Sequence, residues 1–91
     1  MNEENKKLLL EAGVDLDRTM ERFMNNEGLY LKFLKRFPED PNFAQMKENI
    51  AGGQYEEAFK NAHTLKGLSG NLGLESFYQT ISVLTEQLRN K

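Results

Sequence analysis

Apolar residues recur along the chain at spacings of three and four, the period of a helix that buries one face. Leu16, Met20 and Phe23 form one such series, and Asp15 ahead of them is a helix N-cap. Asn25-Asn26-Glu27-Gly28 reads as a turn, with Asn26 or Asn25 capping a helix in which Tyr30, Phe33, Leu34 and Phe37 recur as far as Pro38. Asp40-Pro41 is a cap followed by proline at the first helical position, where its missing N–H costs nothing. Phe43, Met46 and Ile50 follow, and Gly52-Gly53 ends that element. A further helix begins near Gln54 and carries Tyr55, Ala58, Phe59, Ala62, Leu65, Ser69 and Leu72, with Gly73 stopping it as a left-handed cap. The last series, Leu74, Phe77, Tyr78, Ile81, Leu84 and Leu88, is the most regular.

No stretch alternates with period two over more than a few residues, so the pattern predicts an all-α fold. Short connections place consecutive helices antiparallel. The last four segments therefore predict an antiparallel four-helix bundle. The additional N-terminal helix, Asp15 to Met24, is expected across one end, with Leu8 to Leu10 adding a short capping turn.

Composition narrows the classes. At 91 residues the chain is expected to form a single domain, 1–91, with its core between residues 13 and 90. Apolar residues make up 38% and charged residues 29%, which places the chain with folded domains rather than disordered tails. The net charge of -2, with both signs interspersed, argues against a nucleic-acid partner, which requires a concentrated basic face. The chain has no cysteine, hence no disulfide framework and no thiol chemistry. The longest apolar run, Leu8-Leu9-Leu10, is too short for a membrane span, and MNEENKK lacks the pattern of a secretory leader. A cytoplasmic setting is the expectation, and one-sided amphipathic helices give no reason to expect more than a monomer.

Candidate chemistry is confined to AHTLKGLSGNLG, residues 62–73, which holds the only histidine, His63. Each helical residue turns about 100°, which puts His63 about 120° from the centre of its helix's apolar stripe, outside the core. Gly67 and Glu56 share that side, with Gly70, Phe59 and Lys66 between them and the core. A glycine within a helix costs up to ~1 kcal/mol relative to alanine, so Gly67 and Gly70 are not there for helix stability. Two uses remain open for them: a close approach by another protein, or close packing between helices. An exposed neutral imidazole is a competent nucleophile. Lys66, at i+3, can place positive charge beside a group attached to it. An anion on the imidazole, a phosphoryl group above all, suits the site.

Rival chemistries lack parts. A hydrolase needs His63 paired with a nucleophile or carboxylate, and Ser69 is six residues along the same helix, out of hydrogen-bond reach. One histidine, no cysteine and no acidic cluster at ligand spacing leave no zinc or calcium site. The other reading is a non-catalytic interaction module that docks a partner without accepting phosphate, in which His63 is an ordinary solvated side chain.

His63-Thr64-Leu65-Lys66-Gly67, followed by Asn71-Leu72-Gly73, resembles the signature of histidine-containing phosphotransfer (HPt) domains. Gly13-Val14-Asp15, Leu29-Tyr30, Phe37, Pro41 and Gly52 are similar to the same family's layout, so the resemblance covers roughly residues 13–90. It implies a four-helix bundle that relays a phosphoryl group between receiver domains of a two-component phosphorelay, a hybrid histidine kinase being a further partner. It also implies a carrier without turnover of its own, needing no cofactor beyond Mg²⁺ on the receiver. His63 matches the phospho-acceptor, Lys66 the phosphate-adjacent cation, and Gly67 the residue whose missing side chain gives the receiver access. Gly70 matches a small-residue position, and Phe59 and Glu56 fall on the docking side. Leu68 departs from the family, standing where small or hydroxylated residues are common. The family's last helix often supplies a polar partner to the imidazole, for which Thr85, Gln87 and Gln79 are candidates here. The docking surface is expected on the His63 face, with Met20 or Met24 of the first helix at its centre.

Overall fold

The computed structural model describes residues 1–91. It contains α1 (Glu3–Glu11), α2 (Leu16–Arg22), α3 (Glu27–Arg36), a single 3-10 turn (Phe37–Glu39), α4 (Pro41–Ala51), α5 (Tyr55–Asn71) and α6 (Glu75–Arg89), and no strand. The fold is all-helical, as the periodicity predicts, with one helix more than expected. Residues read as a capping turn at Leu8–Leu10 belong to the nine-residue α1, capped by Asn2, whose side chain accepts from the Asn5 N–H at 2.7 Å. Periodicity understates α1 because it buries only Leu9, while Leu8 and Leu10 stay exposed.

The helix starts follow their caps. Asp15 accepts from Arg18 N–H at 3.2 Å, Asn26 from Leu29 N–H at 3.0 Å, and Asp40 from Asn42 N–H at 2.8 Å. The ends of α1, α2, α4 and α5 share one device, an N–H that reaches back five residues to a helix carbonyl. The bonds are Val14 to Leu9, Asn25 to Met20, Gln54 to Asn49 and Leu74 to Ser69, at 2.7–3.0 Å. Gly73 shows why residue type matters at such an end. Its φ is +72, and a Cβ there would strike the Thr19 hydroxyl of α2, which packs across it.

α5 is the central element. Ala58, Ala62, Leu65 and Ser69 are fully buried along it, and the two alanines let neighbouring helices come close. α6 runs antiparallel to α5: Tyr78 packs at Gly70, and Arg89 lies over Phe59. α4 meets the other flank through an amide cluster. Asn61 Nδ2 donates to Asn42 Oδ1 at 2.9 Å and to Gln45 Oε1 at 3.2 Å, while its Oδ1 accepts from Asn49 Nδ2 at 2.8 Å. These bonds offset the desolvation of a buried amide, about 1–3 kcal/mol if left unmade.

At the other end of α5, Phe37 packs edge-to-face on Phe43 and Phe77, with centroids 5.3 and 5.2 Å away. Tyr30 of α3 is completely buried and donates its hydroxyl to the Leu72 carbonyl at 2.8 Å. Desolvation by that burial pushes the phenol above its ordinary value. α2 is tied to the same end. Arg22 Nη1 donates to the carbonyls of Gly70 and Asn71, both at 2.8 Å. The Gly70 carbonyl also accepts from the Gly73 N–H at 3.2 Å, and the guanidinium charge complements the negative end of the α5 dipole. No helix is long and apolar enough to cross a membrane.

Candidate functional site

α5 divides sharply around its girth. Ala62, Leu65 and Ser69 are fully buried, whereas His63, Thr64 and Gly67 are exposed. The imidazole therefore projects from the outer side of the most buried helix in the molecule. Backbone mobility is low where the opposite face is packed, so the ring is presented from a rigid base.

Two neighbours one turn away define the ring's surroundings. The half-buried Phe59 at i−4 stacks on His63, with ring centroids 6.0 Å apart and planes inclined by 20°. Lys66 at i+3 extends toward α6, its Nζ lying 5.7 Å from the centroid of the Tyr78 ring. Arg89, from the last turn of α6, places its Cζ 5.2 Å from the Phe59 centroid and its Nη2 3.6 Å from Glu86. Such cation–ring contacts contribute about 0.5–1 kcal/mol at exposed sites. Here they hold one cation on either side of the imidazole along α5. Sequence reading missed Arg89 and the role of Tyr78, since neither lies within a helical turn of His63. No local signal could have found them.

The two glycines differ. A Cβ at Gly67 would meet nothing within 4 Å, so the surface one turn beyond His63 is open. A Cβ at Gly70 would come within 3.2 Å of Tyr78 Cε2, so the chain's own aromatic ring fills that space. Of the two uses left open for glycine, Gly70 has the second, close packing between helices, while Gly67 leaves its surface uncovered. Glu56 is exposed in the first turn of α5, two turns from His63, and makes no hydrogen bond or ion pair within the chain. Leu68 lies on the far side of α5 from His63, in an apolar groove with Phe23, Phe33 and Leu72.

None of the three residues named as imidazole partners bonds the ring. Thr85 is buried, and its hydroxyl donates to the Ile81 carbonyl of its own helix at 2.6 Å. Gln79 Nε2 donates to Glu75 Oε1 at 3.4 Å. Gln87 is exposed. No three His, Cys, Asp or Glu side chains converge where a metal ion could be held. An exposed nucleophile, flanking cations and an open approach can take up and release an anionic group brought by another protein.

The family model of the Hpt domain matches residues 29–91, α3 to the C-terminal residue. The chain belongs to the Hpt domain family. Hpt domains serve phosphotransfer in two-component systems, in general as phosphocarriers rather than enzymes, and interact with receiver and kinase domains. The match leaves out α1 and α2 and begins at Leu29, later than the Gly13 from which the sequence resemblance runs. No curated protein and no solved structure matches the chain.

Proposed function

We propose that this Hpt domain is a cytoplasmic, monomeric phosphocarrier in which α3–α6 form the four-helix bundle and His63 is the phospho-acceptor. The observation that carries the reading is the exposed His63 imidazole beside the open surface at Gly67. Membership of the family supports the reaction class.

A receiver domain docks over Gly67 and brings a phosphoaspartate, with its own Mg²⁺, in line with an imidazole nitrogen. The nitrogen lone pair forms the N–P bond as the acyl-phosphate P–O bond breaks, and the electrons leave with the aspartate carboxylate. The other ring nitrogen then releases its proton to solvent, leaving a neutral phosphoimidazole ring that carries the anionic phosphoryl group. The reverse sequence delivers the group to the same or another receiver. Transfer of this kind depends on positioning and charge compensation. Phe59 serves the first by stacking on the ring, and Lys66 serves the second. The chain has no turnover by itself.

The test is incubation with a panel of phosphorylated receiver domains and Mg²⁺, scoring acid-labile phosphate on this chain and on a His63→Gln variant. Label on the native chain and none on the variant is the expected result. No label from any active receiver would overturn the carrier reading and leave an interaction module.

A further inference from the structure

Lys66 is rooted between two groups that can hold its ammonium. Toward the start of α5 is the His63 ring, which leans that way to stack on Phe59 at i−4. A phosphoryl group on the imidazole is carried on the same side. In the other direction stands Tyr78 of α6. Its ring fits against Gly70, where a Cβ would lie 3.2 Å from Cε2 and 3.3 Å from Cδ2. Gly70 is seven residues beyond His63, about 10.5 Å along the helix axis. Lys66 Nζ lies on the Tyr78 side, 5.7 Å from the ring centroid.

The ammonium has no stronger partner within the chain. Lys60 faces Glu57 at 3.2 Å and Arg89 faces Glu86 at 3.6 Å, but no carboxylate forms an ion pair with Lys66. An aromatic ring attracts a cation within about 6 Å of its centroid, so Lys66 is already near the limit of that contact. A charge-assisted bond to a phosphoryl oxygen requires about 2.7–2.9 Å. Movement of Nζ toward His63 to make that bond takes the ammonium off the Tyr78 ring. One contact replaces the other.

We propose that Tyr78 competes with the phosphoryl group for Lys66 and thereby sets how readily phosphorylated His63 gives up its group. Tyr78 is a positioning residue that acts through Lys66. The inference rests on the carrier reading for the presence of a phosphoryl group on His63.

The sign of the effect follows from which state keeps the ring contact. A charge-assisted bond to a phosphoryl group is stronger than an exposed cation–ring contact, so Lys66 leaves Tyr78 when the group arrives. The contact it leaves stabilises only the unphosphorylated chain. It therefore offsets part of what Lys66 contributes to the phosphorylated chain and shifts the exchange toward the receiver aspartate. A carrier must release its group as well as accept it, and a lysine with no second partner would favour retention.

The experiment reads the exchange at equilibrium. The native chain and Tyr78→Leu, both shown folded by melting curves, are equilibrated with each phosphorylated receiver of the panel and Mg²⁺. The exchange constant is taken from the label on the two proteins. Tyr78→Leu is expected to shift it toward phosphorylated His63 about two- to fivefold, while Tyr78→Phe, which keeps a ring, stays near the native value. In a Lys66→Ala background Tyr78→Leu makes no further difference, an outcome that simple loss of packing would not give. In NMR spectra the Lys66 ε-methylene protons, moved upfield by the ring current, return downfield both in Tyr78→Leu and on phosphorylation of the native chain. Equal constants for the native chain and Tyr78→Leu would overturn the proposal. A shift toward the receiver would overturn it too, since Tyr78 would then assist the phosphoryl group, as would an undiminished effect without Lys66. His63 is labelled in each of these cases, so the carrier reading survives them. No label from any active receiver brings down both.

Discussion

The Phe59 ring stacks on the His63 imidazole, with centroids 6.0 Å apart and planes 20° from parallel. Spacing of i and i+4 brings the two rings onto one side of α5, and Arg89 packs on the Phe59 ring in turn. The half-buried phenyl ring thereby orients an imidazole that nothing else in the chain hydrogen-bonds.

Phe59→Leu removes the stacking while keeping an apolar side chain. Aromatic pairs contribute about 0.5–1.5 kcal/mol beyond area burial, so phosphorylation of His63 at saturating receiver is expected to slow about two- to tenfold. Tm should fall only slightly. Quenched-flow labelling beside a melting curve checks both.

Gly67 and Gly73 should respond oppositely to the same substitution. Nothing lies within 4 Å of a Cβ at Gly67, so Gly67→Ala is expected to stabilise α5 by up to about 1 kcal/mol while slowing transfer from the receiver. Gly73→Ala meets both a positive φ and the Thr19 hydroxyl, and should destabilise by about 2–5 kcal/mol. Urea unfolding of the two variants, with labelling rates for the first, tests the pair.

Tyr30 makes stability fall in alkali. Burial raises its phenol above 10.0 in the folded chain, so the folded state holds that proton more tightly than the unfolded state does. Between the two values the native state binds more protons, and stability declines as pH rises from about 10 through the folded-state value. Tyr30→Phe should remove this alkaline slope. It should also cost about 1–3 kcal/mol at neutral pH, because the buried Leu72 carbonyl loses its donor. Urea midpoints measured from pH 7 to 11 would show both effects.

Asn61 is a buried polar residue with three hydrogen bonds to α4. Asn61→Leu has nearly the same volume but leaves Asn42, Gln45 and Asn49 without their partner, at an expected cost of about 1–3 kcal/mol. Asn61→Asp should be worse, since it turns an acceptor oxygen toward Asn42 Oδ1 and Gln45 Oε1. Denaturant titration is the check, with an unchanged m-value confirming that only stability has moved.

Much of this molecule is legible in one dimension because the interactions concerned act within a turn or two of helix. Apolar residues at spacings of three and four marked α2 to α6. Asp15, Asn26 and Asp40 cap helices through N–H groups two or three residues on. The His63, Lys66 and Gly67 constellation could be read because i, i+3 and i+4 share one side of a helix, whatever surrounds them. α1 was read only as a turn, since burial of Leu9 alone gives no period.

Tertiary structure decided what the same residue types are used for. Gly67 and Gly70 look alike in sequence, yet Tyr78 fills the space at Gly70 and nothing fills it at Gly67. Asn61 entered no apolar series, but its buried amide joins α4 to α5. Arg89 reaches Phe59, and Arg22 reaches the last carbonyls of α5, across separations over which sequence carries no geometric information. Met20 and Met24 are interchangeable as candidate exposed residues in sequence, but Met20 packs partly buried against the core while Met24 is exposed on a left-handed backbone. Local spacing determines which face of a helix a residue occupies; packing between helices determines what that face meets.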